Sequence, residues 1–375
     1  MRHTLRLTWV LSAANLSGGT KSNRLIAEAM VRRGHQVNIA YSTFRKWPAP
    51  WRFRRFTKRC FNEVRNRIDG PCHHLQSSSA KLVPIRERPI SAHQVPDADF
   101  VFATWWETRE WIESWPARKG EKLYFVRHHE LHGGDPERVR ATYRLPGQKF
   151  VIARWLQRLM AEEYGDSTSI VIPNGVDRGQ FHAPPRGKQP VPTVGFMYAK
   201  GWKGGDTAMR ALEKVKRQVP QLRVIVMTRS KSDRNKKFPS FCEVHFQPSQ
   251  STIPLLYSQT DCWLLPSTSE GFGMPGIEAA ACRCPVVATR CGGPEDYVID
   301  GETGYLVPVD DSEEMANAIL RALALSDREW KAMSDASQNL ALKFDWDHSA
   351  ELLEAALFSR LETSSANSTS SMPLP

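Results

Sequence analysis

Short apolar runs alternate with amphipathic stretches along most of this chain, the pattern of an α/β protein whose buried parallel strands are joined by surface helices. The series opens with an apolar run at 5–11, a loop at 12–20 that carries Gly18 and Gly19, a helix over about 22–33 and a strand at 36–40. Gly34 is a natural C-terminal stop for that helix. Strands predicted at 99–104, 122–127, 149–153 and 169–172 complete a first parallel sheet. Residues 182–192 are Pro-rich and linker-like, and a second series follows with strands at 193–197, 222–227, 243–246, 262–265 and 285–288. Amphipathic helices then run from 309 to about 361, with a break near Trp346. The Ser-rich stretch beyond reads as a tail without structure. The pattern predicts two Rossmann-like domains in tandem, whose ligands bind at the carboxyl ends of the strands and place the active cleft between them.

Composition agrees with two ordinary cores, at 375 residues and 41% hydrophobic content. The first residues mimic a signal peptide, but Arg6 interrupts the apolar run and a Gly-rich loop follows, so a first strand is expected instead. No apolar run approaches the ~20 residues that span a bilayer, and a soluble or membrane-peripheral, cytoplasmic protein is the expectation. Seven cysteines form an odd set without the spacing of a secreted disulfide framework, so reduced thiols are expected. Cys72, His73 and His74 lack a second pair of ligands at zinc spacing, and no metal is expected.

The net charge of +11 is concentrated in one place. Between residues 44 and 67 nine Arg or Lys stand against Glu63 alone. Within this segment Arg45, Lys46, Arg52, Arg54, Arg55, Lys58 and Arg59 are interleaved with Trp47 and Trp51. Cations among aromatics suit an anionic membrane surface or a lipid-linked acceptor. A single-stranded nucleic acid would suit the same chemistry, and a solvated basic loop is the plain alternative. Charge confined to one segment argues against a nucleic-acid-binding protein, and no nucleic-acid partner is expected.

The most informative chemistry lies at Glu270-Gly271-Phe272-Gly273-Met274-Pro275-Gly276-Ile277-Glu278, between a buried-strand candidate and a strongly helix-forming run. Gly271 and Gly273 let the backbone approach a ligand, and Pro275 fits the first helical turn. Free N–H groups at such a helix start bind phosphate, while carboxylates accept hydrogen bonds from sugar and ribose hydroxyls. A helix start flanked by two solvated glutamates is the alternative for this run alone. Lys203, ahead of Gly204-Gly205 and a predicted helix, is a candidate for holding phosphate, with Lys200 nearby. Val226-Met227-Thr228-Arg229 and His245-Phe246-Gln247, where two predicted strands run out, are expected close to where a nucleobase would lie. His128 and His129 follow a predicted strand at what should be the cleft edge.

The run from Glu270 to Glu278 resembles the Glu-x7-Glu signature of the retaining family 4 glycosyltransferases. Further matches fall in that family's order: Ile172-Pro173-Asn174-Gly175-Val176-Asp177, Lys203-Gly204, Gly292-Gly293-Pro294-Glu295, and the run from Asp300 to Val307. The resemblance implies the GT-B fold, two Rossmann-like domains facing each other across a cleft. It implies an acceptor-binding domain over 1–178, a nucleotide-sugar-binding domain over 179–340, a helix at 341–361 crossing back to the first domain, and a disordered tail at 362–375. It also implies sugar transfer from a nucleoside-diphosphate sugar to a glycan or lipid-linked acceptor, without a metal. Donor contacts then fall to Gly18, Gly19, Lys200, Lys203, Thr228, Glu270, Gly271, Phe272, Gly273, Met274 and Glu278. Lys203 and Glu270 are expected to act in catalysis, with His128 or His129 at the transferred sugar. The chain departs from the family pattern twice: Tyr198 stands where an arginine is usual, and Arg283 where a glycine precedes Pro-Val-Val. Nucleotide-sugar epimerisation or phosphorolysis on the same fold is the enzymatic alternative.

Overall fold

A computed structural model describes residues 3–43, 73–229 and 237–370 of the chain. They form two compact α/β units. The first runs to Ile152, resumes at Leu156–Pro173 and takes back the chain from Trp346; the second holds Ala153–Trp155 and Asn174–Asp345.

The first unit is built on seven parallel strands: β1 (Arg6–Leu11), β2 (Gln36–Ser42), β3 (Lys81–Ile85), β4 (Phe100–Ala103), β5 (Glu121–Val126), β6 (Lys149–Val151) and β7 (Ile170–Val171). Their order is β3-β2-β1-β4-β5-β6-β7, so the chain reverses direction across the sheet between β1 and β4. Trp9 and Phe102 sit opposite each other in that central pair and stack with ring centroids 4.4 Å apart. Strands covered on both faces need apolar residues at nearly every position, which is why β4 reads as an unbroken apolar run.

The connecting helix α1 (Gly18–Arg32) starts earlier than its apolar periodicity suggests. Ser17 caps it by accepting the Thr20 N–H at 3.2 Å, and Asn15 Oδ1 accepts from Ser17 N and Thr20 Oγ1. Gly18 and Gly19 are therefore the first helical residues and not part of a loop closing β1. The other helices of this unit are α2 (Trp106–Glu113), α3 (Pro136–Arg144) and α4 (Arg154–Tyr164). Strand β3 escapes the hydrophobic pattern because it is a short edge strand containing Pro84, with Lys81 exposed.

The second unit repeats the plan with six parallel strands: β8 (Thr193–Tyr198), β9 (Arg223–Thr228), β10 (Cys242–Phe246), β11 (Cys262–Leu265), β12 (Val286–Thr289) and β13 (Gly304–Val307). The order β10-β9-β8-β11-β12-β13 puts its reversal point between β8 and β11. Helices α5 (Gly205–Gln218), α6 (Ile253–Ser258), α7 (Met274–Ala281), α8 (Ser312–Ala324) and α9 (Asp327–Ala341) complete it. Its core joins Val194, Phe196, Val224, Val226 and Leu264 of the sheet to Leu212, Met315 and Ile319 of the helices.

The last helix, α10 (Trp346–Ser370), returns to the first unit. Ala350, Leu353 and Leu357 are fully buried, and Glu354 pairs with Arg33 at the end of α1. The His35 ring accepts the Leu5 N–H at Nδ1 (3.2 Å), so Nε2 carries the proton and donates it to Glu354 Oε1 at 2.9 Å. Burial by itself would raise the Glu354 carboxyl, but the hydrogen bonds from Arg33 and His35 outweigh it and hold that group below its usual pKa. The helix continues through 362–370, the first part of the expected tail. Thr363 there turns its hydroxyl back to the Ser359 carbonyl, 2.9 Å away, a local bond compatible with helix.

Candidate functional site

The two loops leaving β8 and β11 form one structure in the second unit. Thr268 N donates to the Trp202 carbonyl at 2.8 Å, tying the loop after β11 to the turn at Gly201–Lys203. Gly204 (φ +66°) is both N-cap of α5 and the point of closest approach: a Cβ there would lie 1.8 Å from the Pro266 carbonyl oxygen. Gly273 (φ +83°) caps α7 in the same left-handed conformation, and a Cβ on it would meet Tyr297 Oη at 2.7 Å and Leu265 Cδ2 at 2.8 Å. Neither helix has a side-chain cap, whereas α1, α3, α8 and α9 are capped by Ser17, Asp135, Asp311 and Ser326. A glycine cap supplies no side-chain oxygen to the first turn; Gly205 N donates instead to the Ala199 carbonyl at 3.0 Å and Gly276 N to the Gly273 carbonyl at 2.9 Å.

Lys203 and Glu270 meet across these loops. The ammonium lies 2.6 Å from Glu270 Oε1, and Ser267 Oγ donates to the same oxygen at 2.7 Å. Glu270 is buried and its backbone is bridged to Gly292 beside β12, so this carboxylate is fixed from both sides. Lys203 remains one-third exposed, at 35% of its side chain. Glu278, one turn into α7, is buried and accepts the Tyr257 hydroxyl at 3.4 Å. Desolvation lowers the pKa of Arg229, just beyond β9, and the Glu278 carboxylate partly offsets this. Gln247 holds the Arg229 segment: its amide Nε2 donates to the Arg229 carbonyl at 3.0 Å and its backbone N–H to the Thr228 carbonyl at 2.8 Å.

Several candidate residues take positions that the motifs do not reveal. Phe272 turns into an aromatic cluster with Tyr297 and Phe344, leaving only its backbone to face the loop. Met274 is half-buried, with its sulfur 3.6 Å from Asn174 Nδ2, and Thr228 is fully buried at the end of β9. Lys200 is exposed, with no ion pair among the described residues. Tyr198, at the position of the family arginine, is buried and donates its hydroxyl to Asp206 at 2.7 Å, so no cation occupies that place. Arg283 adopts a left-handed backbone at φ +60°, a region that favours glycine. The residue is held by its pairing with Asp335, and Ser334 Oγ donates to its carbonyl at 2.9 Å. Trp155, which clusters with this unit, donates its indole N–H to the Gly271 carbonyl at 3.0 Å. Nothing in the sequence marked it, because it lies 116 residues from its partner.

In the first unit the two histidines separate by environment. His129 Nε2 is 2.7 Å from the Tyr164 hydroxyl, its ring lies among Tyr143 and Tyr164, and burial lowers its pKa. His128 donates from Nδ1 to the His129 carbonyl at 2.9 Å, and its ring stands edge-on to that of His132. Beneath them Glu130 is fully buried; its Oε2 accepts from Trp106 N (2.7 Å) and Tyr124 Oη (3.0 Å), while Oε1 has no hydrogen-bond partner. Burial pushes this carboxyl up to about 8, against the opposing pull of those donors and Arg127. Arg127, also buried, donates to Asn23 Oδ1 and Ser22 Oγ in the first turns of α1. Gly18 and Gly19 open that helix, and a Cβ at Gly19 would meet only Ser17 Oγ, at 3.8 Å. Close packing does not demand a glycine at that position. Arg45, Lys46, Trp47, Trp51, Arg52, Arg54, Arg55, Lys58 and Arg59 lie outside the described residues.

Solved structures match both units at once. Sucrose-phosphate synthase from Thermosynechococcus elongatus superposes with a TM-score of 0.68 at 18% identity, over 96% of this chain and 100% of that one. Anabaena HepE in complex with UDP and glucose gives 0.70 at 17% identity, over 94% and 100%. The chain has the GT-B fold of glycosyltransferases. Residues 189–325 match the family described as glycosyl transferases group 1. Among curated relatives, D-inositol 3-phosphate glycosyltransferase of Mycolicibacterium smegmatis is 41% identical over 115 residues, 30% of this chain and 26% of that protein. Its counterpart from Rhodococcus erythropolis is 29% identical over 243 residues, 60% and 50% of the two chains. The chain thus spans a quarter to about half of the length of these two relatives.

Proposed function

We propose that the protein is a retaining glycosyltransferase that moves a sugar from a nucleoside-diphosphate sugar to a glycan acceptor, in one form lipid-linked. The observation that carries this reading is the pair of glycine-capped helix starts, α5 and α7, with the Lys203–Glu270 pair between their loops. A departing diphosphate needs positive charge and oriented N–H donors, and a lysine beside two helix starts is suited to supply them. In the proposed mechanism Lys203 and the two helix starts hold the diphosphate. Glu270 orients sugar hydroxyls and Glu278 holds the ribose. A donor phosphate oxygen removes the acceptor proton, so the new bond forms on the face that the leaving group vacates. His128 and His129 both stay candidates for contact with the transferred sugar: His128 Nδ1 donates to the His129 carbonyl and His129 Nε2 lies 2.7 Å from the Tyr164 hydroxyl. The UDP in the HepE complex makes uridine the first base to examine. The basic segment at 45–59 supports contact with an anionic membrane or lipid-linked acceptor.

The test is transfer of sugar from UDP-, GDP- and dTDP-sugars to glycan and lipid-extract acceptors, with the linkage of the product assigned by NMR. A product that keeps the anomeric configuration of the donor is expected, and Lys203→Ala should lower kcat about 100-fold. Inverted product, or epimerised or phosphorolysed donor without transfer, would overturn the proposal.

A further inference from the structure

Trp202 is an exposed aromatic residue in the loop after β8. The residue keeps 41% of its surface, yet its carbonyl is fixed by Thr268 N at 2.8 Å. Gly201 (φ +67°) and Gly204 (φ +66°) bracket the turn that presents Trp202 and Lys203 together. Within it the Lys203 ammonium lies 4.0 Å from the centroid of the Trp202 ring, as well as 2.6 Å from Glu270. One cation thus has two holders, one anionic and one neutral.

The two holders respond differently to an incoming anion. A diphosphate beside Lys203 competes with Glu270 for the ammonium, and its own charge repels that carboxylate. The indole face attracts a cation through its ring quadrupole and adds no net charge that would oppose the phosphates. We propose that Trp202 is a positioning residue for the donor diphosphate, holding the Lys203 ammonium in place when Glu270 releases it to the ligand. This rests on the donor-site reading above and extends it to a residue that none of the motifs includes.

The experiment measures binding of UDP, GDP and dTDP to the full chain by calorimetry and follows the tightest of them. Trp202→Ala is expected to weaken binding about two- to fivefold, the range of an exposed cation–π contact, and Trp202→Tyr to restore most of it. In a Lys203→Ala background, Trp202→Ala should have no further effect, because the residue acts through that ammonium. Melting temperatures within a degree or so of the parent would establish that the variants are folded. Equal binding by Trp202→Ala and the parent, with Lys203→Ala still impaired, would overturn this inference alone. An additive loss in the double variant would also overturn it, by showing that Trp202 does not act through Lys203. Lys203→Ala binding as well as the parent, or no diphosphate binding at all, would remove the donor-site reading and this inference with it.

Discussion

Glu130 sits where a charge is hardest to keep: fully buried, with one carboxyl oxygen holding the backbone of Trp106 and the hydroxyl of Tyr124, and the other without a hydrogen bond. Its folded-state pKa, pushed up to about 8, lies above that of an unfolded carboxyl. The folded chain therefore binds a proton that the unfolded chain releases, from about pH 4.5 up to about 8. Stability from this site is full below the unfolded pKa and lost as pH rises through the folded one. Melting curves for the parent and Glu130→Gln between about pH 5 and 9 should diverge, the parent losing stability relative to the variant as pH rises. Parallel curves would show that Glu130 titrates normally. Little of this was legible in the sequence: His129-Glu130 was visible as a pair, but the burial comes from Trp106, Tyr124 and Tyr143 on other elements. Arg283 teaches the converse. It stands where a glycine was expected, yet takes the left-handed φ of +60° just after α7, with Asp335 and Ser334 bracing it.

Among the elements, α5 and α7 were the most legible because apolar strand, glycine loop and helix formers follow one another within a few residues. What the sequence did not show is why the glycines are there. Gly204 serves a left-handed N-cap and an approach to Pro266 that no side chain fits, and this approach joins segments far apart in the chain. Gly204→Ala should destabilise the protein by about 3 kcal/mol, combining left-handed strain with overpacking, as read by urea unfolding. A loss under about 1 kcal/mol would mean that the two loops move apart easily. The edge strands β3 and β13 were missed for a related reason. Each is short and gains its identity from a neighbour, β2 or β12, more than from its own pattern. Helix α10 was visible as an amphipathic region, but its docking through His35, Arg33 and Glu354 depends on residues more than 300 positions away.

At the scale of the whole molecule, the chain builds the same parallel α/β plan twice and closes with a helix that returns to the first unit. Tandem repetition of the hydrophobic pattern made this readable, because each sheet must bury its own strands whatever the other does. Among the described residues no helix is long and apolar enough to cross a membrane, and the basic segment falls outside them. In the second unit Lys203, Glu270 and two glycine-capped helices converge. Calorimetric titration of the full chain with UDP, GDP and dTDP tests that claim most directly. The account predicts saturable binding of at least one of them, weakened tenfold or more by Lys203→Ala, about the value of a charge-assisted contact. Binding of equal strength in the parent and Lys203→Ala, or no binding of any of the three, would contradict it.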